Sequence, residues 1–494
     1  MEPTAPFIQS RLSVLFFIQF FIWGAWYLTG YRYMIAHEMS HNAFWLYTAS
    51  PLGAIVAPFF LGLCVDRFFN AEKVLAACFI LGGAIMWCLP IIGDMAGTPV
   101  MQLNPEVGGT IAYYSLTISG ITLGKSTWFN LAIFAHMLCF MPTLALTAAL
   151  AFRHLPRGND EFPLVRLWGT MGWIFGGLVL AFGFTGTAAD GSAIEAGEGP
   201  IQFRLAASAC LVAGLFCLTL PKTPAPRKGQ PFAWRELFFV DAWREWRNPA
   251  FATYLICAFL VCIPLSAYYA YLANQMGAMN LSHASVWGNV GTWLEAGMLF
   301  LMPFFIRRLG IKRMIAIGIF AWVVRYLLFT WAAAEGSIPA PFLADGTTTN
   351  PDYPGMVLAG FPVPFMHVGF LLFFFGVLLH GISYDFFFVT GQVYVDKVTP
   401  PEIRGQAQAM NLFFTYGLGL YVGAIVAGYL AGYAFTDDKG QSVVPSSVHS
   451  LPYWSHLWIP LAIFASVVLV VFWFIFHYQD KPSTANAESK SVSN

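Results

Sequence analysis

Two acidic residues lie far from any hydrophilic stretch of this chain: Glu295, in Gly291-Thr-Trp-Leu-Glu-Ala-Gly297, and Asp385, in His380-Gly-Ile-Ser-Tyr-Asp-Phe386. A charged side chain surrounded by hydrocarbon is costly, so such residues face a cavity or a partner. Burial favours the neutral form of a carboxyl group, and a nearby cation favours the charged form. A carboxyl held between those influences can take up a proton at one surface and release it at another, or hydrogen-bond a polar ligand. The competing reading is a structural ion pair with Arg166 or Arg325, the two cations that also sit in apolar sequence, or exposure at a helix end.

Arg166 occupies Phe162-Pro-Leu-Val-Arg-Leu-Trp-Gly-Thr-Met-Gly-Trp173. Thr170 follows at i+4 and Trp173 at i+7, on the same helical face. Cation, hydroxyl and aromatic ring together suit a polar ligand that contains a ring, although Arg166 is near enough to its helix start to snorkel. Gly169, Gly172, Gly176 and Gly177 offer close helix packing beside that face. Arg325, in Ala321-Trp-Val-Val-Arg325, reads as a residue that holds the fold. Ser266-Ala-Tyr-Tyr-Ala-Tyr271 places Tyr269 where a ring could stack on a planar ligand. His380 precedes Tyr384 by one helical turn, next to Asp385; His136 and His367 read as packing residues. Gln19 and Trp23 at helical spacing, together with Ser266 and Thr292, are weaker candidates for a cavity wall.

Other chemistry is missing. The sequence has no phosphate-binding Walker loop and no His/Cys/Asp cluster at metal spacing, so it predicts no catalytic residues, metal or cofactor and disfavours an ATP-driven pump. Its eight cysteines all fall in apolar runs, without a Cys-x-x-Cys pair, and read as packing residues.

The elements that must position these residues follow from composition. Of 494 residues, 58% are hydrophobic and 10% charged, with 25 basic and 25 acidic side chains. A soluble chain is about one-quarter charged, and zero net charge gives no attraction for nucleic acid. The sequence therefore predicts an all-α polytopic membrane protein. A window of about 20 apolar residues places helices near 12–34, 43–65, 73–93, 128–152, 163–185 and 202–221. A second six lie near 249–274, 284–306, 312–334, 362–390, 405–434 and 454–478. The organisation expected is a six-helix bundle (1–221), a cytoplasmic linker with an interfacial Trp/Arg segment (222–248), a second bundle (249–478) and a cytoplasmic, disordered tail (479–494). The Trp/Arg segment reads as a passive tether on the membrane surface.

Charge sets the orientation. With both termini in the cytoplasm, 19 basic residues fall in inner segments, and the outer loops hold Lys125 and Lys439 against 11 acids. The outer insertions 94–127, 186–201, 335–361 and 435–453 read as loops. Gly62-Leu-Cys-Val-Asp-Arg67 and Phe305-Ile-Arg-Arg-Leu-Gly-Ile-Lys-Arg313 are similar charged turns, and Arg166 and Arg404 are similarly spaced. Such pseudo-symmetric halves are the parallel repeat of the major facilitator fold.

Several segments resemble the nucleoside:proton symporters of the major facilitator superfamily: Phe17-Ile-Gln-Phe-Phe-Ile-Trp-Gly-Ala-Trp26, Met141-Pro-Thr-Leu144, Phe162-Pro-Leu-Val-Arg-Leu-Trp-Gly-Thr170, Pro303-Phe-Phe-Ile-Arg-Arg-Leu-Gly-Ile-Lys312, and Tyr384-Asp-Phe-Phe to Val395-Asp-Lys397. The resemblance implies uptake of a nucleoside with a proton. It implies a pocket between the halves in which Arg166, Thr170, Glu295 and Asp385 are retained and Trp173 and Tyr384 keep an aromatic ring. Ser266, Tyr269 and Thr292 stand where the family offers amides, and His380 stands where a Tyr is expected.

The expected protein is thus a twelve-helix carrier of the cell membrane, the inner membrane in a Gram-negative cell. It would work as a monomer by alternating access, with a nucleoside and protons as its small partners and the bilayer as its solvent. Substrate contacts are expected from Arg166, Thr170, Trp173, Tyr269, Glu295, His380, Tyr384 and Asp385, with Glu295 and Asp385 linked to the proton. Competing readings are a carrier of a sugar or another polar metabolite, a non-transporting sensor or scaffold, and a membrane enzyme.

Overall fold

A computed structural model describes residues 7–478 apart from 28, 40–44, 64–68, 104–109, 157, 184–185, 188–192, 195–198, 225–239, 282–283, 344–347, 359–360 and 438–442. Helices stand at every predicted position. They are α1 (Ile8–Gly24), a short α2 (Gly30–Ala36), α3 (Trp45–Leu63), α4 (Ala71–Asp94), α5 (Lys125–His154), α6 (Gly158–Gly183) and α7 (Ile201–Cys217). After the four-residue α8 (Val240–Trp243) come α9 (Pro249–Ala278), α10 (Ala284–Ala334), α11 (Val368–Tyr384), α12 (Thr390–Val398), α13 (Arg404–Leu412), α14 (Leu420–Ala434) and α15 (Trp454–Ile475). Among the described residues, eight helical stretches are long and apolar enough to cross a membrane, and α1 and α7 are shorter apolar helices. One of the eight, Val290–Ala334, is broken at Gly310, whose φ of 74° ends one arm and starts the next.

Local chemistry fixes several helix starts. Asn248 caps α9 by accepting from the Ala250 N–H, with Pro249 at the first helical position. The His367 side chain does the same for α11 through the Phe370 N–H. Two helices are interrupted by π-helical turns: Asp385–Val389 joins α11 to α12, and Phe413–Gly419 joins α13 to α14. A π turn inserts a residue and re-aims the side chains around it, and such turns concentrate at functional sites.

The predicted outer loops contain small antiparallel sheets that a reading for helices does not see. Strands β1 (Thr98–Leu103), β2 (Thr110–Ile118) and β3 (Ile121–Gly124) form one sheet in order β1-β2-β3. Gly186–Thr187 pairs with Ala193–Ile194, and Met356–Leu358 with Phe361–Val363. Alternating Thr, Tyr and Ile in β2 explain the first sheet.

Close helix pairs are made where glycine removes a side chain. A Cβ on Gly172 would lie 2.0 Å from the Phe17 carbonyl oxygen, which ties α6 to α1. A Cβ on Gly381 would lie 2.6 Å from the Glu295 nitrogen, which ties α11 to α10. Gly177, expected to share this role, has open space where a Cβ would stand, with nothing within 4 Å, and does not pack against a neighbouring helix.

Other contacts bear on the segments between the helices. Trp243 and Trp246 of the Trp/Arg segment pack on Phe414, at 5.9 and 5.5 Å between ring centroids. Residues 234–239 of the segment lie outside the described residues, as do Cys64 to Arg67 of the first charged turn, Lys439 and the tail. Arg166 and Arg404 are not equivalent. Arg166 lies two turns inside α6, whereas Arg404 opens α13 and pairs with Asp396 at 3.4 Å.

Candidate substrate site

The two membrane acids and Arg166 converge from three helices. Arg166 on α6 lies over the Phe20 ring of α1, with its guanidinium carbon 4.1 Å from the centroid. Its Nη1 is 3.5 Å from the Thr170 hydroxyl, one turn along the same helix. The Thr170 hydroxyl donates to Glu295 Oε1 on α10 at 2.7 Å. Thr170 therefore bridges the cation and the acid across two helices that are 125 residues apart in sequence. All three residues are buried.

Asp385 is different. It is fully buried at the first position of a π turn, within electrostatic range of Glu295 and Arg166. Neither carboxylate oxygen has a hydrogen-bond partner among the described residues. Buried polar atoms are nearly always satisfied, and exceptions call for an explanation. A carboxyl in this position is satisfied by taking up a proton or by accepting hydroxyl hydrogen bonds from a bound molecule.

Aromatic rings enclose this charged group. Trp23 makes edge contacts with Trp173 and Tyr27, both at 5.5 Å, and Tyr27 lies 5.9 Å from Trp173. On the facing helices, His380 stacks on Tyr268 at 5.0 Å and 14°, and meets Tyr269 edge-on at 6.0 Å. Tyr384 lies 5.5 Å from His380. Tyr269 is 56% exposed although Tyr27, Tyr416 and Glu295 all lie within electrostatic range of it. Its exposure is therefore to an internal space that these residues border. The His380 Nδ1 atom is buried without a hydrogen-bond partner among the described residues. The arrangement offers stacking faces, a free imidazole nitrogen, a cation and two acids around one space, which suits a ligand with a planar ring and several hydroxyls.

The remaining predicted residues divide. Gln19 donates to the Thr143 hydroxyl at 2.7 Å and keeps its carbonyl oxygen unpartnered among the described residues; Trp23 Nε1 is unpartnered as well. Ser266 donates to the Leu420 carbonyl at 3.1 Å, so its hydroxyl serves the packing of α9 on α14. Thr292 is partly buried one turn before Glu295. Arg325 holds the fold as expected: it donates to the Gly376 carbonyl at 3.1 Å and to Ser383 Oγ at 2.7 Å. It also sits over Tyr268 and Trp322, at 4.5 and 4.3 Å.

Sequence reasoning missed Phe20, Tyr27, Tyr268 and Tyr416. Tyr27 had a usable signal, lying one turn beyond Trp23 on the Gln19-Trp23 face. The position of Tyr416, within electrostatic range of Arg166 and Glu295, depends on how α3 and α6 meet helices of the second half of the sequence.

Known proteins are similar to this chain in sequence and in fold. The family profile described as "Nucleoside H+ symporter" matches residues 7–104, 100–343 and 359–481. YegT of Escherichia coli (strain K12) is 28% identical over 478 residues, covering 96% of this chain and 95% of that protein. The crystal structure of nucleoside transporter NupG aligns with a TM-score of 0.59 at 24% identity, covering 96% of this chain and 100% of that one. The major facilitator superfamily proton:xylose symporter XylE aligns with a TM-score of 0.60 at 13% identity, covering 95% and 96%. The fold is that of the major facilitator transporters, and the chain belongs to the nucleoside H+ symporter family.

Proposed function

We propose that this chain carries a nucleoside into the cell together with a proton, by alternating access between two six-helix halves, 1–221 and 249–478, joined by the linker 222–248. Both termini lie in the cytoplasm, the protein sits in the cell membrane (the inner membrane of a Gram-negative cell), and the working unit is the monomer. The observation that carries the reading is the unpartnered, fully buried carboxylate of Asp385 beside the Arg166–Thr170–Glu295 bridge. The family description and the aromatic walls around that group support the choice of a nucleoside.

Glu295 and Asp385 carry the proton and accept from the ribose hydroxyls as a pair. Arg166 offsets their charge, and Thr170 fixes Glu295. Trp173, Tyr269 and Tyr384 stack against the base, and His380 offers it a hydrogen bond through Nδ1. Gln19, Trp23 and Thr292 line the wall, and Ser266 supports it from behind. A proton bound on the outer side neutralises one acid, the loaded carrier reorients, and the proton and cargo leave together on the inner side.

Uptake by a transporter-deficient cell tests this reading, with labelled uridine, adenosine and a sugar and with or without a protonophore. Protonophore-sensitive uptake of a nucleoside is expected. Uptake of the sugar alone would refute the nucleoside reading and leave a carrier of polar metabolites.

A further inference from the structure

The break in α10 carries a cluster of cations far from the cargo site. Arg307 and Arg308 end the first arm, Gly310 breaks the helix, and Lys312 and Arg313 begin the second arm. The sequence offers them no local counter-charge, because no acid lies between Glu295 and Glu335. Among the described residues, none of the four is paired with a carboxylate. Other basic side chains of the inner segments are spent on protein: Arg404 pairs with Asp396, and Arg153 donates to the Pro224 carbonyl at 3.2 Å. Arg307 Nε donates to the Pro303 carbonyl at 3.1 Å, which leaves its two terminal nitrogens for another acceptor.

An exposed apolar surface runs directly into this cluster. Phe300, Phe304, Arg307 and Arg308 stand at i, i+4, i+7 and i+8, on one face of the first arm, and all four are exposed. The Arg308 guanidinium carbon lies 5.6 Å from the Phe304 centroid. α15 packs beside α10 and extends the surface: Lys312 Nζ lies 5.2 Å from the Trp473 ring, and Trp473 and Phe474 are exposed. Bare rings thus give way to unpaired cations along the helix axis, as hydrocarbon gives way to headgroups across a leaflet. Basic clusters beside a membrane attract its anionic lipids, and guanidinium forks match the oxygens of a phosphate. A free phosphate would meet only the cations and leave the rings uncovered, whereas a phospholipid covers both.

We propose that the break at Gly310 is a binding site for one anionic phospholipid, its phosphate held by Arg307, Arg308 and Arg313 and its acyl chains lying along Phe300, Phe304 and Trp473. In the orientation proposed above the lipid belongs to the inner leaflet; the binding itself does not depend on that orientation.

Native mass spectrometry of the full chain in detergent, titrated with phosphatidylglycerol or phosphatidylcholine, tests it. Phosphatidylglycerol should be retained in preference to phosphatidylcholine. Each cation near an anionic lipid contributes about a fivefold factor. The triple variant Arg307→Gln, Arg308→Gln, Arg313→Gln should therefore bind phosphatidylglycerol about a hundredfold more weakly, with phosphatidylcholine unchanged. Arg308→Gln alone should weaken it about fivefold, and it decides the matter if the triple variant does not fold. The control Lys73→Gln, Lys222→Gln, Arg247→Gln removes the same charge from exposed positions elsewhere and should bind as the wild type does. Inorganic phosphate at matched ionic strength should not displace the lipid. Equal loss in both triple variants would reduce the effect to diffuse charge and overturn the site. Displacement by phosphate, or no preference between the two lipids, would overturn it as well. Lipid retention does not depend on what is carried, so its absence would leave the nucleoside reading standing, and a chain that retains the lipid but takes up no nucleoside would sink that reading alone.

Discussion

Replacing Thr170 by Val removes one hydroxyl and almost no volume, at the point where α6 and α10 are joined. The hydroxyl donates to Glu295 Oε1 at 2.7 Å and is 2% exposed, with Arg166 Nη1 3.5 Å away. Hydrogen bonds to charged groups contribute about 1.5–3 kcal/mol. If the bridge holds Glu295 in its cargo-binding position, kcat/KM should fall roughly ten- to a hundredfold. Thr170→Ser keeps the donor and should retain most of the activity. The assay is initial uptake of labelled nucleoside into proteoliposomes under an imposed pH gradient, paired with calorimetric binding in detergent. Binding and uptake should weaken together in the Val variant while its thermal midpoint stays near wild type. A Val variant that binds and transports like the Ser variant would refute the bridge as a determinant of Glu295 geometry.

Other expectations follow from single contacts. His380→Phe preserves the stack on Tyr268 but removes the free Nδ1, so it should alter the preference among nucleosides in a competition panel without changing expression. Arg325→Leu breaks two hydrogen bonds and two ring contacts in the core, and should cost about 3–5 kcal/mol, the range for a broken buried polar network. A fluorescence-detected thermal midpoint reads this, and an unchanged midpoint with lost binding would move Arg325 into the site. Gly381→Ala places a methyl group 2.6 Å from the Glu295 nitrogen, so α10 and α11 must separate and both folding yield and transport should drop. Normal yield and normal uptake would show that this helix pair gives way without affecting Glu295.

Much of this is legible in the sequence because the bilayer demands it. Runs of apolar residues must become helices where no water can satisfy the backbone, and α4, α5 and α9 begin and end within a few residues of their predicted limits. Glu295, Asp385 and Arg166 stand out because charge in such runs is costly. What escapes depends on contacts between distant segments. Nothing local in Asp385-Phe-Phe-Phe-Val389 announces a π turn, and the Tyr416 ring reaches the site only through the second π turn and the meeting of α3 with it. The outer sheet is invisible to a window tuned to hydropathy, because strands of Thr, Tyr and Gly look like loops to it. Ser266 carries a polar side chain in the right helix, but its hydroxyl is spent on the Leu420 carbonyl.

The proposed coupling of cargo to protons at the unpartnered Asp385 carboxyl is put to the test by Asp385→Asn. Proteoliposomes holding the variant should be compared in two modes, accumulation driven by a pH gradient and exchange of labelled for unlabelled nucleoside without a gradient. Accumulation should be lost, while the amide, still able to accept a ribose hydrogen bond, should support measurable exchange. Gradient-driven accumulation at the wild-type level by the Asp385→Asn carrier would contradict it.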